Sequence, residues 1–197
     1  MMLSKFMLDP LANTIAVIVL AGMILSVISV GILYIKGASP RFKWPKWVVP
    51  VLAVIGLCVA LYLTYVETAK VEAVCGPVGD CNSVQQSPYA YLFGVIPVGV
   101  FGAMGYLGIL VAWLIQRFGP DRFQKFAVFA IWGMSWFGVL YSIYLTFLEP
   151  FVIGATCVWC ITSAILITLL LWASTTPALE YLQINDSETE GLDIIAD

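Results

Sequence analysis

Five stretches of this 197-residue chain contain no charged side chain: Leu11–Ile35, Trp47–Val66, Ser87–Gln116, Phe126–Leu148 and Pro150–Leu179. Each can hold the roughly 20 apolar residues that carry a helix across a bilayer. A charge at the bilayer centre costs about 2.5–3.5 kcal/mol on insertion scales, so repeated clean runs of this length mark a chain made for hydrocarbon. With 61% hydrophobic residues and a mean hydropathy of +0.98, the chain lies far outside the range of ordinary globular domains. The runs predict an all-α integral membrane protein with five spans.

Charge adds a topology. The net charge of −3 comes largely from Glu180, Asp186, Glu188, Glu190, Asp193 and Asp197 near the C-terminus. Polar and acidic, residues 175–197 read as an unstructured cytoplasmic tail. No basic patch suits a nucleic acid. The first apolar run is too long for a signal-peptide core and reads as a retained helix. Lys36, Arg41, Lys43 and Lys46 join spans one and two, and Arg117, Arg122 and Lys125 join spans three and four; Lys5 and Lys70 alone fall on the other side. Basic residues in short loops stay in the cytoplasm, so the N-terminus is expected outside the cell membrane and the tail inside.

Span one (Leu11–Ile35) is followed by a basic link to residue 46, and span two runs from Trp47 to about Tyr65. The outer segment Glu67–Tyr91 is the longest polar stretch between spans; within it, Asn82–Ser87 predicts a short half-helix capped by Asn82 or Ser83 and stopped before Pro88. Span three carries Gly94, Gly99, Gly102, Gly105 and Gly108, with Pro97 expected to kink it. These glycines read either as helix-packing positions or as space left for a flat ring. Span four is aromatic, from Phe126 to Phe147.

Two cysteine pairs fall on the outer side: Cys75/Cys81 in a loop and Cys157/Cys160 at the mouth of span five. Disulfides form and persist in that compartment. Three residues apart, Cys157 and Cys160 share one helix face. The helix N-terminus favours thiolate there. Cys160 lies about 4.5 Å deeper, at 1.5 Å rise per residue, and faces hydrocarbon. The loop Cys75-Gly-Pro-Val-Gly-Asp-Cys81 closes too short a ring to constrain much unfolded-chain entropy. A mobile shuttle, attacked by a soluble thiol and reoxidised by an internal disulfide, makes better use of it. Structural staples and a four-cysteine metal site are the competing readings. Cys58, alone in span two, reads as a small packing residue. A redox relay in a chain without haem-type histidines or a nucleotide fold needs a borrowed membrane acceptor, which points to a quinone.

Leu61-Tyr-Leu-Thr-Tyr65, Gly79-Asp-Cys-Asn-Ser-Val84 with Ser87 downstream, Phe93-Gly-Val-Ile-Pro-Val98 and Cys157-Val-Trp-Cys-Ile-Thr-Ser163 occur in this order. Together they resemble the vitamin K epoxide reductase family over roughly Leu61–Ala173. The resemblance implies a four-helix bundle, residues 47–174, around a quinone (menaquinone, ubiquinone or similar), capped by the loop and half-helix. Residues 1–46 then supply an extra helix that braces the bundle from outside. By the same resemblance, Cys75 meets a partner's thiol and Cys81 passes electrons to Cys157. Cys160 touches the ring, with a charge-transfer or covalent adduct open to it, and Ser87 supports the site. Phe93, Pro97, Phe101, Cys160 and Ala164 are the residues expected around the quinone. The family's animal enzymes carry a tyrosine where this chain has Ala164, and an asparagine donor near its Val98. The likeness is therefore nearer to the prokaryotic branch, which drives disulfide formation in secreted proteins. No thioredoxin-like domain fits after Ala173, so the expected partner is a separate extracytoplasmic thioredoxin-like protein. Quinone-epoxide reduction and a scaffold with structural disulfides are the alternatives.

Overall fold

A computed structural model describes residues 5–38, 44–76, 79–92 and 94–196, with side chains followed to Gln183. Phe93, Arg41 and Lys43 lie outside the described residues. Six α-helices organise the rest: α1 (Pro10–Ile35), α2 (Val48–Ala69), the short α3 (Cys81–Gln85), α4 (Val98–Phe118), α5 (Asp121–Leu148) and α6 (Val158–Ala196). All but α3 are long and apolar enough to cross a membrane. The protein is an all-α, multi-pass membrane protein.

The four helices α2, α4, α5 and α6 close into a ring, each packed against the next and α6 back against α2. Ala53, Tyr106, Ile131, Val139, Ile167 and Leu170 fill its centre. Small residues set how closely the helices approach. A Cβ on Gly99 would come within 2.9 Å of the Leu63 carbonyl carbon, so α4 begins pressed against the backbone of α2. Outside the ring, α1 lies on α5, α6 and the turn that joins them.

Local chemistry explains the ends. Pro10 occupies the first turn of α1, where its missing N–H costs nothing, and Asp9 caps that helix by accepting the Ala12 N–H at 3.2 Å. Pro97 is the residue before α4, not part of it, so it sets the entry to the helix and introduces no kink. Without an N–H it ends the two-residue strand β2 (Ile96–Pro97), paired antiparallel with β1 (Tyr91–Leu92), and the helix starts behind it. The half-helix is present as α3, but its cap is Asp80, which accepts the Ser83 N–H. Asn82 turns away from the cap and accepts the Ala73 N–H at 2.7 Å.

Two further expectations are corrected. The backbone of the acidic tail continues α6 through Pro177 to Ala196, where composition predicts no structure. An established helix extends at one hydrogen bond per residue, without a new nucleation cost. Cys58 is exposed on the outside of the bundle and does not pack between helices.

Candidate redox site and intramembrane cavity

Cys75 and Cys81 are joined as a disulfide at the end of the bundle that carries α3. Cys75 is partly exposed while Cys81 is wholly buried. Hydrogen bonds tie both ends of the loop to the bundle. Tyr62 accepts the Val74 N–H at 2.8 Å, and Trp159 donates from its indole to the Val74 carbonyl at 2.9 Å. The two rings meet at 4.8 Å between centroids. Further on, the Asp80 N–H donates to the Thr156 carbonyl at 3.1 Å. Gly79 at φ 90° allows that approach, because a Cβ there would strike the same carbonyl.

The first helix takes part in this clamp. Asp9 accepts the Gly79 N–H at 3.2 Å. Asn13, fully buried, donates to the Phe6 carbonyl at 2.9 Å and accepts the Thr156 hydroxyl at 2.9 Å. The segment leading into Cys157 is thereby tied to α1, which is more than an outer brace.

Cys157 immediately precedes α6, and its carbonyl accepts the first turn's Ile161 N–H at 3.0 Å. It is fully buried in one cluster with Cys81, Leu63, Val84 and Ala155. Cys157 and Cys160 are free thiols. The neighbouring Cys160 thiol is the main cause that holds the Cys157 thiol below its ordinary range, and the Gln85 amide adds to it. Gln85 reaches both sulfurs from α3, at 3.7 Å to Cys157 and 3.6 Å to Cys160. The half-helix therefore delivers one amide to the second dithiol.

Cys160 also faces a cavity of about 480 Å³ inside the helix ring. The volume falls in the range of small-molecule sites. Its walls are mostly apolar, with Phe101, Phe137 and Tyr141 on one side. Phe101 meets Tyr141 edge-on at 5.2 Å. Polar groups are few; Tyr106 bonds the Ser163 hydroxyl at 3.0 Å on the opposite wall. A flat, apolar ring with a small number of oxygens fits this lining, and the cysteine sulfur gives it a redox contact.

Of the residues expected around a ring, Phe101 and Cys160 line the cavity. Ala164 is buried in the bundle core one position away from the lining residue Ser163, Pro97 precedes the helix whose later turns form the wall, and Phe93 lies outside the described residues. Ser87 donates to the Val84 carbonyl at 2.7 Å and lines a small chamber next to Cys160. Sequence reasoning passes over Gln85, Tyr106, Glu67 and Glu149. Both acids bound apolar runs and read as their ends, yet an ionisable residue at a span is a functional candidate by default.

Comparison with known proteins agrees with this geometry. A sequence model of the vitamin K epoxide reductase family matches residues 47–175. A relative, "Thiol-disulfide oxidoreductase LTO1" of Arabidopsis thaliana, is 33% identical over 120 residues, which is 57% of this chain and 31% of the relative. The chain thus spans about a third of the length of that relative.

Proposed function

The chain belongs to the vitamin K epoxide reductase family, and on that premise we propose that it is a membrane thiol:quinone oxidoreductase that supports disulfide formation. Electrons enter from a dithiol of a separate, thioredoxin-like protein, pass through Cys75/Cys81 to Cys157/Cys160, and leave to a quinone. One observation carries the reading: Cys157 is buried in a cluster with Cys81, while Cys160, three residues on, lines the cavity. The second dithiol bridges the outer loop and the membrane interior.

The chain's own groups divide the work. Cys75 is open to attack by an external thiolate, with Cys81 as the buried leaving sulfur. Tyr62, Trp159 and Thr156 hold the loop over Cys157. The lowered thiol value of Cys157 keeps a nucleophilic thiolate available near neutral pH. Phe101, Phe137 and Tyr141 offer faces and edges to a ring in a mostly apolar cavity. A bound quinone supplies a two-electron, two-proton acceptor.

Orientation follows the basic residues. Lys36, Lys46, Arg117, Arg122 and Lys125 gather at the helix ends away from the cysteines, which supports an outward-facing cysteine end and an inward-facing C-terminus. The deciding experiment uses purified full chain with a short-tailed benzoquinone and a reduced thioredoxin-like donor. Cys75→Ala should stop oxidation of the protein donor while Cys157 and Cys160 still form their own disulfide. Full donor oxidation by Cys75→Ala would remove Cys75 as the entry point.

A further inference from the structure

Two carboxylates stand where the thiols meet the membrane interior, and the electron path above uses neither. Glu149 opens the π-helical segment Glu149–Ile153 that links α5 to α6, and is 2% exposed; Glu67, near the end of α2, is 5% exposed. Glu149 Oε2 accepts the Cys157 N–H at 3.0 Å, which places the carboxylate at the head of the Cys157/Cys160 pair.

The placement of Glu149 relative to the cavities points the same way. Glu149 and Cys160 both line the large cavity and the adjoining chamber of about 40 Å³. Glu67, Gln85 and Ser87 supply the other polar walls of that chamber, which has room for a few waters. Gln85 Oε1 is buried there with no donor. The titratable groups facing Glu149 are Cys157 just before α6, Cys160 on α6 and Glu67 on α2. Glu67 is engaged elsewhere, accepting the Gly99 N–H at 2.8 Å. Oxidation of a dithiol releases two protons along with two electrons, so a carboxylate that shares both cavity walls with a reacting cysteine has a defined task.

We propose that Glu149 is a catalytic base: it takes the Cys160 proton as the Cys157–Cys160 disulfide forms and returns it to the quinone in the cavity that it lines. The inference rests on the thiol:quinone reading. Over one turn two S–H bonds break, one S–S bond forms, and the quinone takes up both electrons and both protons. Glu149 is protonated once and deprotonated once, with no net change.

Two readouts test this. In reduced, quinone-free protein the infrared S–H stretch of Cys160, identified by its loss in Cys160→Ala, should shift in Glu149→Gln. With a short-tailed benzoquinone, single-turnover oxidation should slow about 100-fold in Glu149→Gln, the scale of one general base. Quinone KM should stay unchanged, the deficit should shrink as pH rises and solvent base substitutes, and Glu149→Asp should recover part of the rate. An unshifted S–H band, a wild-type rate in Glu149→Gln, or a loss that is equal at every pH with a raised KM would each overturn the role. Should Glu149→Gln fail to fold, wild-type protein decides, since absence of a solvent deuterium effect on the single turnover would also sink it. A wild-type chain that reduces no quinone refutes the thiol:quinone reading instead, and the infrared arm still reports whether Glu149 holds the Cys160 proton.

Discussion

Filling the cavity without disturbing the helix contacts around it tests where a ring binds. Gly105 on α4 and Gly133 on α5 both line the cavity, and a Cβ added to either meets nothing within 4 Å. Gly105→Leu puts four carbons into a space of about 480 Å³. If those carbons displace an equal number of ligand contacts at about 0.8 kcal/mol per buried CH₂, binding weakens by about 3 kcal/mol. That is roughly a 100-fold loss in affinity. The fold should not suffer, because replacing a glycine inside a helix gains about 0.5–1 kcal/mol of backbone preference. Gly99→Leu is the contrast: its Cβ would meet Glu67 Oε2 at 2.8 Å and the α2 backbone, so it should lower the unfolding midpoint. The assay is titration of purified chain with a short-tailed benzoquinone, read by tryptophan quenching, beside thermal unfolding in the same detergent. Unchanged quinone affinity in both Gly105→Leu and Gly133→Leu, with an unchanged midpoint, would place the ring elsewhere and refute the reasoning.

Asn13→Ala removes the buried amide that joins α1 to Thr156 and leaves its partners without their bonds, at about 1–3 kcal/mol for each group stranded. The unfolding midpoint should fall, and thiol exchange between the Cys75/Cys81 and Cys157/Cys160 pairs should slow; an unchanged exchange rate would show that α1 does not position the loop. Cys157 is held below the ordinary thiol range, so its thiolate persists to lower pH than that of a free cysteine and is lost as pH falls further. Cys160→Ala deletes the main cause and should move the thiolate absorbance titration of Cys157 up toward 9.0, whereas an unmoved midpoint would assign the shift to another group.

The membrane class and the relative order of the elements could be read from the chain because both depend on composition and local spacing. Absence of charge over a span length is a property of the span itself, and a Cys-x-x-Cys spacing fixes a shared helix face wherever the helix lies. The half-helix could be located for the same reason, since Pro88 stops any helix before it. Its cap could not: Asp80, Asn82 and Ser83 are all capping residue types, and the choice depends on Asn82 being drawn to Ala73 by the tertiary path of the loop. Pro97 was open in the same way. Proline suits both a kink and a helix entry, and the β1–β2 hairpin, a non-local pairing, selects the entry.

The acids show the harder limit. Glu67 and Glu149 each end an apolar run, and from sequence alone a carboxylate at that position faces water as readily as protein. Two events decide the matter here. The helix α2 continues past Val66 far enough to bring Glu67 to the start of α4, and the link after α5 tightens into a π-helical turn that directs Glu149 toward Cys157. Neither event leaves a periodic signature, because each depends on the ring of four helices closing. Once it has closed, the residues that bound the spans in sequence lie beside the thiols. A single glutamate then accepts the Cys157 N–H and lines the same cavity as Cys160. Redox chemistry that moves protons with electrons can use a base at that junction, which is the role proposed for Glu149, and burying a carboxylate there carries a desolvation cost.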